Sequence, residues 1–256
     1  MSIQVFTLKE GSYSVDATKK FIPFDPLKDN FKDRPASLFI HVQPFLVKCG
    51  SELMLLDTGL GYSDEKGHLH LHHHIREAGF EPEDVSMVLM SHLHFDHSGG
   101  MVHNHNGQVE LSFPHATYVM QRGEWETAFS SKSSSYHPEI FEYIQRNAQI
   151  ELVEGSGKLT NEVSYELTGA HCPYHQVFLF DDGEDKVFFG GDVLPEPEEL
   201  LRKFIAKYDY DGRKAMELRD EFGHKAAQEN WKCLFYHSKS KTQAYIGFDG
   251  EKFQII

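Results

Sequence analysis

Apolar residues in the first half of the chain recur with the two-residue period of strands in some stretches and with the helical period in others. The strand-like runs predict strands over residues 3–8, 38–48, 52–56, 85–90 and 116–120. The helical stretches predict helices over residues 68–78, 124–129 and 139–147. The run at 85–90 is apolar except for Ser86, so we expect a buried strand.

The strand pattern returns in the second half. Strands are predicted over residues 163–167, 176–180, 186–189 and 232–236, and a closing hairpin over 242–256. Leu218, Phe222 and Ala226 recur at every fourth position of a helix predicted over 213–230. Strand-rich halves with helices between them, but without a regular βαβ rhythm, predict the α+β class with sheets covered by helices. No low-complexity linker divides the chain, so we expect residues 1–256 to form a single domain.

Composition and charge narrow the classes of partner. The chain has 40% hydrophobic and 25% charged residues, as globular proteins do, and 25 basic against 39 acidic residues give a net charge of −14. This charge repels nucleic acids and anionic lipid surfaces, so we expect neither as a partner. Residues 1–10 lack the features of a secretory signal, and no apolar stretch approaches the length of a membrane span. We therefore expect a cytoplasmic protein.

Histidine is the unusual residue type: the chain has 17, and eleven of them lie between His68 and His115. The densest group is His92, His94, Asp96 and His97, directly after the buried strand predicted at 85–90. Imidazole nitrogens and carboxylate oxygens are ligands of Zn²⁺ and its neighbours in the transition series. The spacing therefore predicts a metal site where this strand ends.

The run His92-Leu93-His94-Phe95-Asp96-His97 is the HxHxDH signature of the metallo-β-lactamase superfamily, which the chain resembles along nearly its whole length. Three later segments resemble the remaining motifs of that family: Thr168-Gly169-Ala170-His171, Gly190-Gly191-Asp192 and Phe235-Tyr236-His237. The resemblance implies an αβ/βα sandwich, in which two mixed β-sheets pack together and helices cover the outer faces.

The same resemblance implies two divalent metal ions, with zinc as the expected metal. One ion would be held by His92, His94 and His171, the other by Asp96, His97 and His237, with Asp192 bridging the two. The implied nucleophile is a hydroxide between the metals, and Asp96 and Asp192 are the expected catalytic residues. Asp57 would lie beneath the metals and orient an imidazole, while we expect His175 to have a structural role.

Two further segments, Gln121-Arg122-Gly123-Glu124-Trp125 and Tyr208-Asp209-Tyr210-Asp211, resemble the lactonase-like branch of the family. That branch implies hydrolysis of a small-molecule ester or lactone, above all an acyl lactone. Arylester and phosphotriester hydrolysis remain alternatives, followed by a nuclease or a metal redox protein. Lactonases of this branch often have a tyrosine shortly after the bridging Asp, which Asp192-Val193-Leu194-Pro195 lacks. Tyr136, Tyr174 and Tyr208 are candidates to replace it.

The remaining histidines are expected to bind no metal. Those of the helix predicted at 68–78 should form a solvated polar face, and His103 and His105 should lie in a hairpin loop that turns at Asn106-Gly107. The aromatic segment 21–27 should cover its own sheet, line a pocket or contact a second subunit of a homodimer.

Overall fold

The computed structural model describes residues 2–256 as an assembly of strands with helices on their outer faces. The strands are β1 Gln4–Thr7, β2 Gly11–Val15, β3 Phe21–Pro23, β4 Leu38–Val42, β5 Phe45–Cys49, β6 Glu52–Leu56, β7 Met87–Leu89, β8 Val102–His105, β9 Gln108–Leu111, β10 Thr117–Gln121, β11 Gln149–Val153, β12 Gly157–Lys158, β13 Val163–Leu167, β14 Gln176–Asp181, β15 Lys186–Phe189, β16 Lys232–Leu234, β17 Gln243–Phe248 and β18 Phe253–Ile255. The α-helices are α1 His70–Glu77, α2 Phe95–Ser98, α3 Arg122–Ser130, α4 Pro138–Asn147 and α5 Gly212–Glu229. Among residues 2–256, no helix is both long and apolar enough to cross a membrane.

Most strands belong to two large sheets. The first has six strands in the order β1-β5-β6-β7-β10-β11, and its last three pairings are parallel. The second has seven strands in the order β12-β13-β14-β15-β16-β17-β18, and all its pairings are antiparallel except the parallel pair β15 and β16. Both sheets are therefore mixed. The carboxyl ends of β6, β7 and β10, and those of β15 and β16, lie side by side in their sheets.

The alternation of side chains along β6 explains why its sequence is apolar from Leu53 to Leu56. Leu53 and Leu55 point to the core on the helix-covered face of the first sheet. Met54 and Leu56 point to the opposite face, where they pack in the core between the two sheets. Successive side chains of a strand point to opposite faces, so a strand that is covered on both faces buries all of these side chains.

Three hydrophobic cores give the molecule its layers. Helices α1, α3 and α4 contribute to a core on the outer face of the first sheet. A central core between the sheets joins Phe45 and Val47 of β5 to Phe178 and Phe189 of the second sheet. A third core packs Phe222 of α5 against the outer face of the second sheet. The order helix, sheet, sheet, helix confirms the α+β sandwich of two mixed sheets that the resemblance implied.

The strand predicted over 38–48 is wrong as a single element. It is two strands, β4 and β5, that belong to different sheets, because Pro44 between them has no N–H to donate and restricts the residue before it. β4 joins β2 and β3 in a three-stranded sheet that the sequence did not predict. This small sheet forms one wall of a cleft.

The hairpin between residues 102 and 111 was placed correctly at its turn but not at its strands. Asn106 and Gly107 have φ values of 53° and 82°, the left-handed conformations of a tight hairpin turn. His103 and His105 nevertheless lie in β8, where they pair with Glu110 and Gln108 of β9. They are strand residues rather than loop residues, since the turn takes up only two positions.

Candidate metal centre

Loops at the ends of several strands bring the predicted metal ligands together. His92 and His94 follow β7, Asp192 follows β15 and His237 follows β16, while His171 lies between β13 and β14. Asp96 and His97 lie on the short helix α2, which begins after His94. All seven predicted residues meet in three overlapping groups of closely spaced ligand atoms, and these groups contain no other residue.

The first group is formed by His92, His94 and His171. His94 Nδ1 lies 3.0 Å from His92 Nε2 and 3.2 Å from His171 Nε2. The three rings are arranged edge to face, with centroids 4.5 to 5.1 Å apart. Three ring nitrogens therefore face one small space.

The second group is formed by Asp96, His97 and His237. Asp96 Oδ2 lies 3.8 Å from His97 Nε2 and 3.6 Å from His237 Nε2. The His97 ring is fully buried and stacks on Tyr236 with centroids 4.1 Å apart. Tyr236 also donates a hydrogen bond of 2.7 Å to the backbone carbonyl of Asp96, which ties this group to the loop after β16.

Asp192 lies between the two groups and presents one carboxylate oxygen to each. Its Oδ2 is 3.3 Å from His171 Nε2 and 4.0 Å from His92 Nε2. Its Oδ1 is 3.1 Å from both His97 Nε2 and His237 Nε2. This geometry suits a carboxylate that contacts two ions at once.

Other residues hold the imidazoles through their second nitrogen. His97 Nδ1 donates to Asp57 Oδ2 at 2.7 Å, and His237 Nδ1 donates to the carbonyl of His41 at 2.6 Å. Ser91 Oγ donates to Asp57 Oδ2 and lies 3.1 Å from His92 Nδ1, which donates to it in turn. Asp57 therefore lies beneath the cluster and fixes the proton of His97 on the far nitrogen.

The sequence reasoning missed the corresponding support of His171. Its Nδ1 lies 3.1 Å from Asp209 Oδ1, and Arg219 donates to the other oxygen of Asp209 at 2.9 Å. Arg219 also donates to the carbonyl of Val193, the residue after Asp192. One signal was available: Arg219 interrupts the apolar stripe of α5, and a charged residue at a core position requires a partner.

His175 has the structural role that was expected, and it acts on the loop of Asp192. The backbone N–H of Asp192 donates to His175 Nε2 at 3.1 Å, and His175 Nδ1 donates to Thr168 Oγ1 at 2.8 Å. Gly191 has φ 47°, and a Cβ at this position would lie 2.6 Å from His175 Nε2. The glycine therefore permits the close approach that holds Asp192 in place.

Burial and mutual contact shift the titration of the cluster in both directions. Burial, with help from neighbouring imidazoles, lowers the pKa of His92 and of His94 well below the usual value. Burial also opposes the charged form of His97, but the carboxylates around it, Asp192 first, raise its pKa well above the usual value. The pKa of Asp192 lies well below its usual range, because the imidazoles around it outweigh the effect of its burial.

The donors present fit metal ions. The N–H groups of four imidazoles are committed to acceptors outside the cluster, so in the neutral rings that bind metals the inner nitrogens face one another as lone pairs. His97 Nε2 and Asp192 Oδ1 are buried and have no hydrogen-bond partner of acceptable geometry. Buried lone pairs without donors are costly unless a cation occupies the space between them. Nitrogen and carboxylate oxygen donors in this arrangement suit Zn²⁺.

A cleft of about 600 Å³ opens over the cluster. One wall is apolar and comes from the three-stranded sheet and its neighbours: Val15, Phe21, Leu38, Ile40 and Phe95. A second wall is the serine-rich loop between α3 and α4, and a third is the segment that precedes α5. Phe21, from the aromatic segment 21–27, thus lines a pocket.

The three candidate tyrosines differ in their positions. Tyr174 is not part of the cleft wall, whereas Tyr136 and Tyr208 both line the cleft. The hydroxyl of Tyr136 donates to the buried Glu124, and that of Tyr208 donates to Glu199 at 2.9 Å. Tyr208 is the more exposed of the two, with 42% of its surface accessible against 8% for Tyr136.

Comparison with known protein families and sequences finds one family model and several lactonases that match this chain. The model of the family described as "Metallo-beta-lactamase superfamily" matches residues 41–237. The N-acyl homoserine lactonase AttM of Rhizobium radiobacter is 43% identical over 148 residues, which are 54% of this chain and 47% of that protein. An N-acyl homoserine lactonase of Bacillus sp is 34% identical over 107 residues, which are 42% of this chain and 37% of that protein. The chain thus matches less than half the length of these curated relatives.

Solved structures agree over the whole chain. A probable metal-dependent hydrolase from Staphylococcus aureus superposes with a TM-score of 0.78 at 20% identity, covering 99% of this chain and 96% of the other. AidC, a dizinc quorum-quenching lactonase, superposes with a TM-score of 0.74 at 20% identity, covering 100% of this chain and 94% of the other. At this identity the similarity shows a shared fold.

Proposed function

The chain belongs to the metallo-beta-lactamase superfamily, as its HxHxDH motif predicted, and we propose that it is a metal-dependent hydrolase that opens acyl lactones or related esters. The observation that carries this proposal is the position of the His and Asp cluster at the base of a cleft with an apolar wall. The lactonases among its relatives support the choice of lactone over other esters.

We assign two divalent ions, with zinc as the metal that these donors favour. His92, His94 and His171 would hold one ion, and Asp96, His97 and His237 would hold the other, with Asp192 contacting both. Seven donors are too many for one tetrahedral ion. When bound, such ions supply an activated water and a Lewis acid for the carbonyl oxygen of the substrate.

The chain's own residues then position the reactants and move protons. Asp96 lines the cleft, so its carboxylate is placed to accept a proton from the attacking water and to return it to the leaving oxygen. Asp192 contacts both groups of ligands and holds them in a fixed position relative to each other. The wall formed by Phe21, Leu38 and Ile40 buries the acyl chain and keeps bulk water away from the ester.

An assay of metal-analysed protein on a substrate panel tests this proposal. The panel contains acyl lactones of increasing chain length, arylesters, phosphotriesters, glutathione thioesters and β-lactams. We expect two metal ions per chain and the highest kcat/KM on lactones. We also expect KM to fall about fourfold for each CH₂ that the cleft buries, equivalent to about 0.8 kcal/mol.

Two results would contradict the proposal. One is lactone turnover no faster than in buffer while phosphotriesters are cleaved efficiently, which would make the protein a phosphotriester hydrolase. The other is a metal content that stays at one ion per chain in metal-replete protein with full activity, which would exclude the two-metal site.

A further inference from the structure

The cleft has two lysines that lack an ionic partner. Lys19, in the turn between β2 and β3, and Lys207, in the segment before α5, both line it and are exposed. Neither forms an ion pair with a residue between 2 and 256. Other lysines of the protein do form ion pairs, such as Lys203 with Asp220 at 3.3 Å and Lys239 with Glu196 at 3.2 Å.

The acidic residues of the cleft cannot neutralise these lysines, because each already has a partner. The carboxylates that line the cleft are Asp96, Asp192, Glu196, Glu199 and Asp209. Asp96 and Asp192 face the imidazoles of the cluster. Glu199 and Asp209 both lie 2.9 Å from nitrogens of Arg219, and Glu196 is the partner of Lys239. The cleft therefore contains two lysines that none of its carboxylates contacts.

The serine-rich wall adds hydrogen-bond donors to the same space. Ser131, Ser133, Ser134 and Ser135 all line the cleft. The hydroxyl oxygens of Ser131 and Ser133 accept hydrogen bonds from the backbone N–H groups of Ser133 and Ser135, at 3.1 and 3.3 Å. Their hydroxyl hydrogens remain free to donate to a ligand in the cleft.

The walls of the cleft suit a ligand that has both an apolar part and a charged part. The apolar wall, with Phe21 and Leu38, suits a hydrocarbon segment, while lysines and serine hydroxyls suit a group that accepts hydrogen bonds and carries negative charge. An acyl chain that carries a carboxylate has both parts. The net charge of −14 makes the chain as a whole repel anions, so the attraction at this cleft is local.

We propose that the substrate carries a carboxylate on its acyl portion, away from the bond that is cleaved, and that Lys19 and Lys207 bind this carboxylate. The inference rests on the proposed function, since it concerns the substrate of the same cleft. It narrows the class from acyl lactones and esters in general to those with a singly charged acyl chain.

Binding of a matched pair of stable amides tests the proposal without turnover. Adipic acid monoanilide carries a terminal carboxylate, and hexananilide has the same acyl length without it. Calorimetry on the metal-loaded protein should give an affinity about tenfold higher for the acid, and this difference should shrink as salt rises. Each of Lys19→Met and Lys207→Met should weaken binding of the acid about threefold to fivefold and leave hexananilide unchanged.

Two variants serve as controls. Lys158→Met removes the same charge from an exposed lysine of β12 that does not line the cleft, and it should leave both affinities unchanged. Lys19→Arg keeps the charge and should retain the preference for the acid.

Equal binding of the two anilides by the unmodified protein would overturn the proposal, as would a failure of the acid to bind. A preference that survives in the double variant Lys19→Met, Lys207→Met would also overturn it. The proposed function fails by a different result: absence of lactone and ester hydrolysis while the preference for the acid and its dependence on both lysines persist.

Discussion

Two regions of the molecule are rich in histidine, and they have little else in common. In the metal centre, His92, His97 and His171 are buried and their inner nitrogens lie within contact distance of Asp192. In the second region, formed by α1 and β8, most of the histidines contact a nearby carboxylate, hydroxyl or carbonyl group. The groups of ligand atoms found among residues 2–256 all belong to the metal centre.

The partners in the second region show why no ligand set forms there. His72 Nε2 lies 2.8 Å from the carbonyl of Ser112, while His73 and His74 both contact Glu77, at 3.3 and 3.1 Å. Neighbouring positions on a helix point in different directions, so these imidazoles spread over its surface. Strand ends of two packed sheets, in contrast, direct side chains from distant segments to one point. The convergence of side chains on one point, more than their residue type, distinguishes a metal site from a polar surface.

The largest expected effect comes from Asp192→Asn, which keeps the side-chain shape and removes the charge between the two groups. We expect kcat/KM on the preferred substrate to fall by about a thousandfold, equivalent to about 4 kcal/mol, with the fold retained. Steady-state kinetics and circular dichroism measure the two properties. His73→Gln is the matched control in the second region and should leave kcat/KM unchanged within twofold. Equal losses in the two variants would show that the site has been misplaced.

A smaller effect is expected from Asp209→Asn, which weakens the hold on His171 without touching the inner nitrogens. Loss of such a partner lowers metal affinity by about 10- to 100-fold, so the variant should lose metal to a competing chelator at lower chelator concentration. Asp64→Asn is the control, because Asp64 contacts His68 at the same distance of 3.1 Å at an exposed position just before α1. If both variants retain metal as the parent does, Asp209 only fills space.

The contrast also explains what the sequence could and could not predict. His92, Asp192 and His237 were identified by the resemblance of their segments to the motifs of one family, and each follows an apolar strand, which places it at the strand ends where the sheets meet. Asp209 lies in a segment without regular secondary structure, so nothing local linked it to His171, 38 positions earlier. Such a contact depends on how α5 packs against the second sheet, which no periodicity encodes.

The fold, like the metal centre, was predictable from the sequence only in part. Strands buried on both faces, such as β6 and β14, have long apolar runs and were predicted close to their observed bounds. The short strands β2 and β3 were missed, since they are half-exposed and their sequences are mixed in polarity. Because this small sheet supplies the apolar wall, the shape of the cleft could not be derived from the pattern that gave its base.

The smallest expected effect concerns His72, a half-buried histidine of the second region. Burial lowers the pKa of His72 from 6.5 to about 4, although its hydrogen bond to Ser112 opposes this. The unfolded chain therefore binds more protons than the folded protein between these two values, and the free energy of unfolding falls as pH decreases through that window. Replacing His72 with Gln removes this proton-linked loss and keeps a donor for the carbonyl of Ser112.

Relative to the parent protein, His72→Gln should therefore gain stability as pH falls from 7.5 to 4.5, by about 1–2 kcal/mol in the difference between the two proteins. Urea unfolding of both proteins at the two pH values measures it, and contributions of the metal centre cancel because both proteins contain it unchanged. Glu83, Arg76 and His103 also act on His72, but each is present in both proteins. His73→Gln, at an exposed position on the same helix, should show no such pH-dependent gain. A difference that stays constant with pH would mean that His72 is as accessible to protons in the folded protein as in the unfolded chain, and the second region would then be a polar surface throughout.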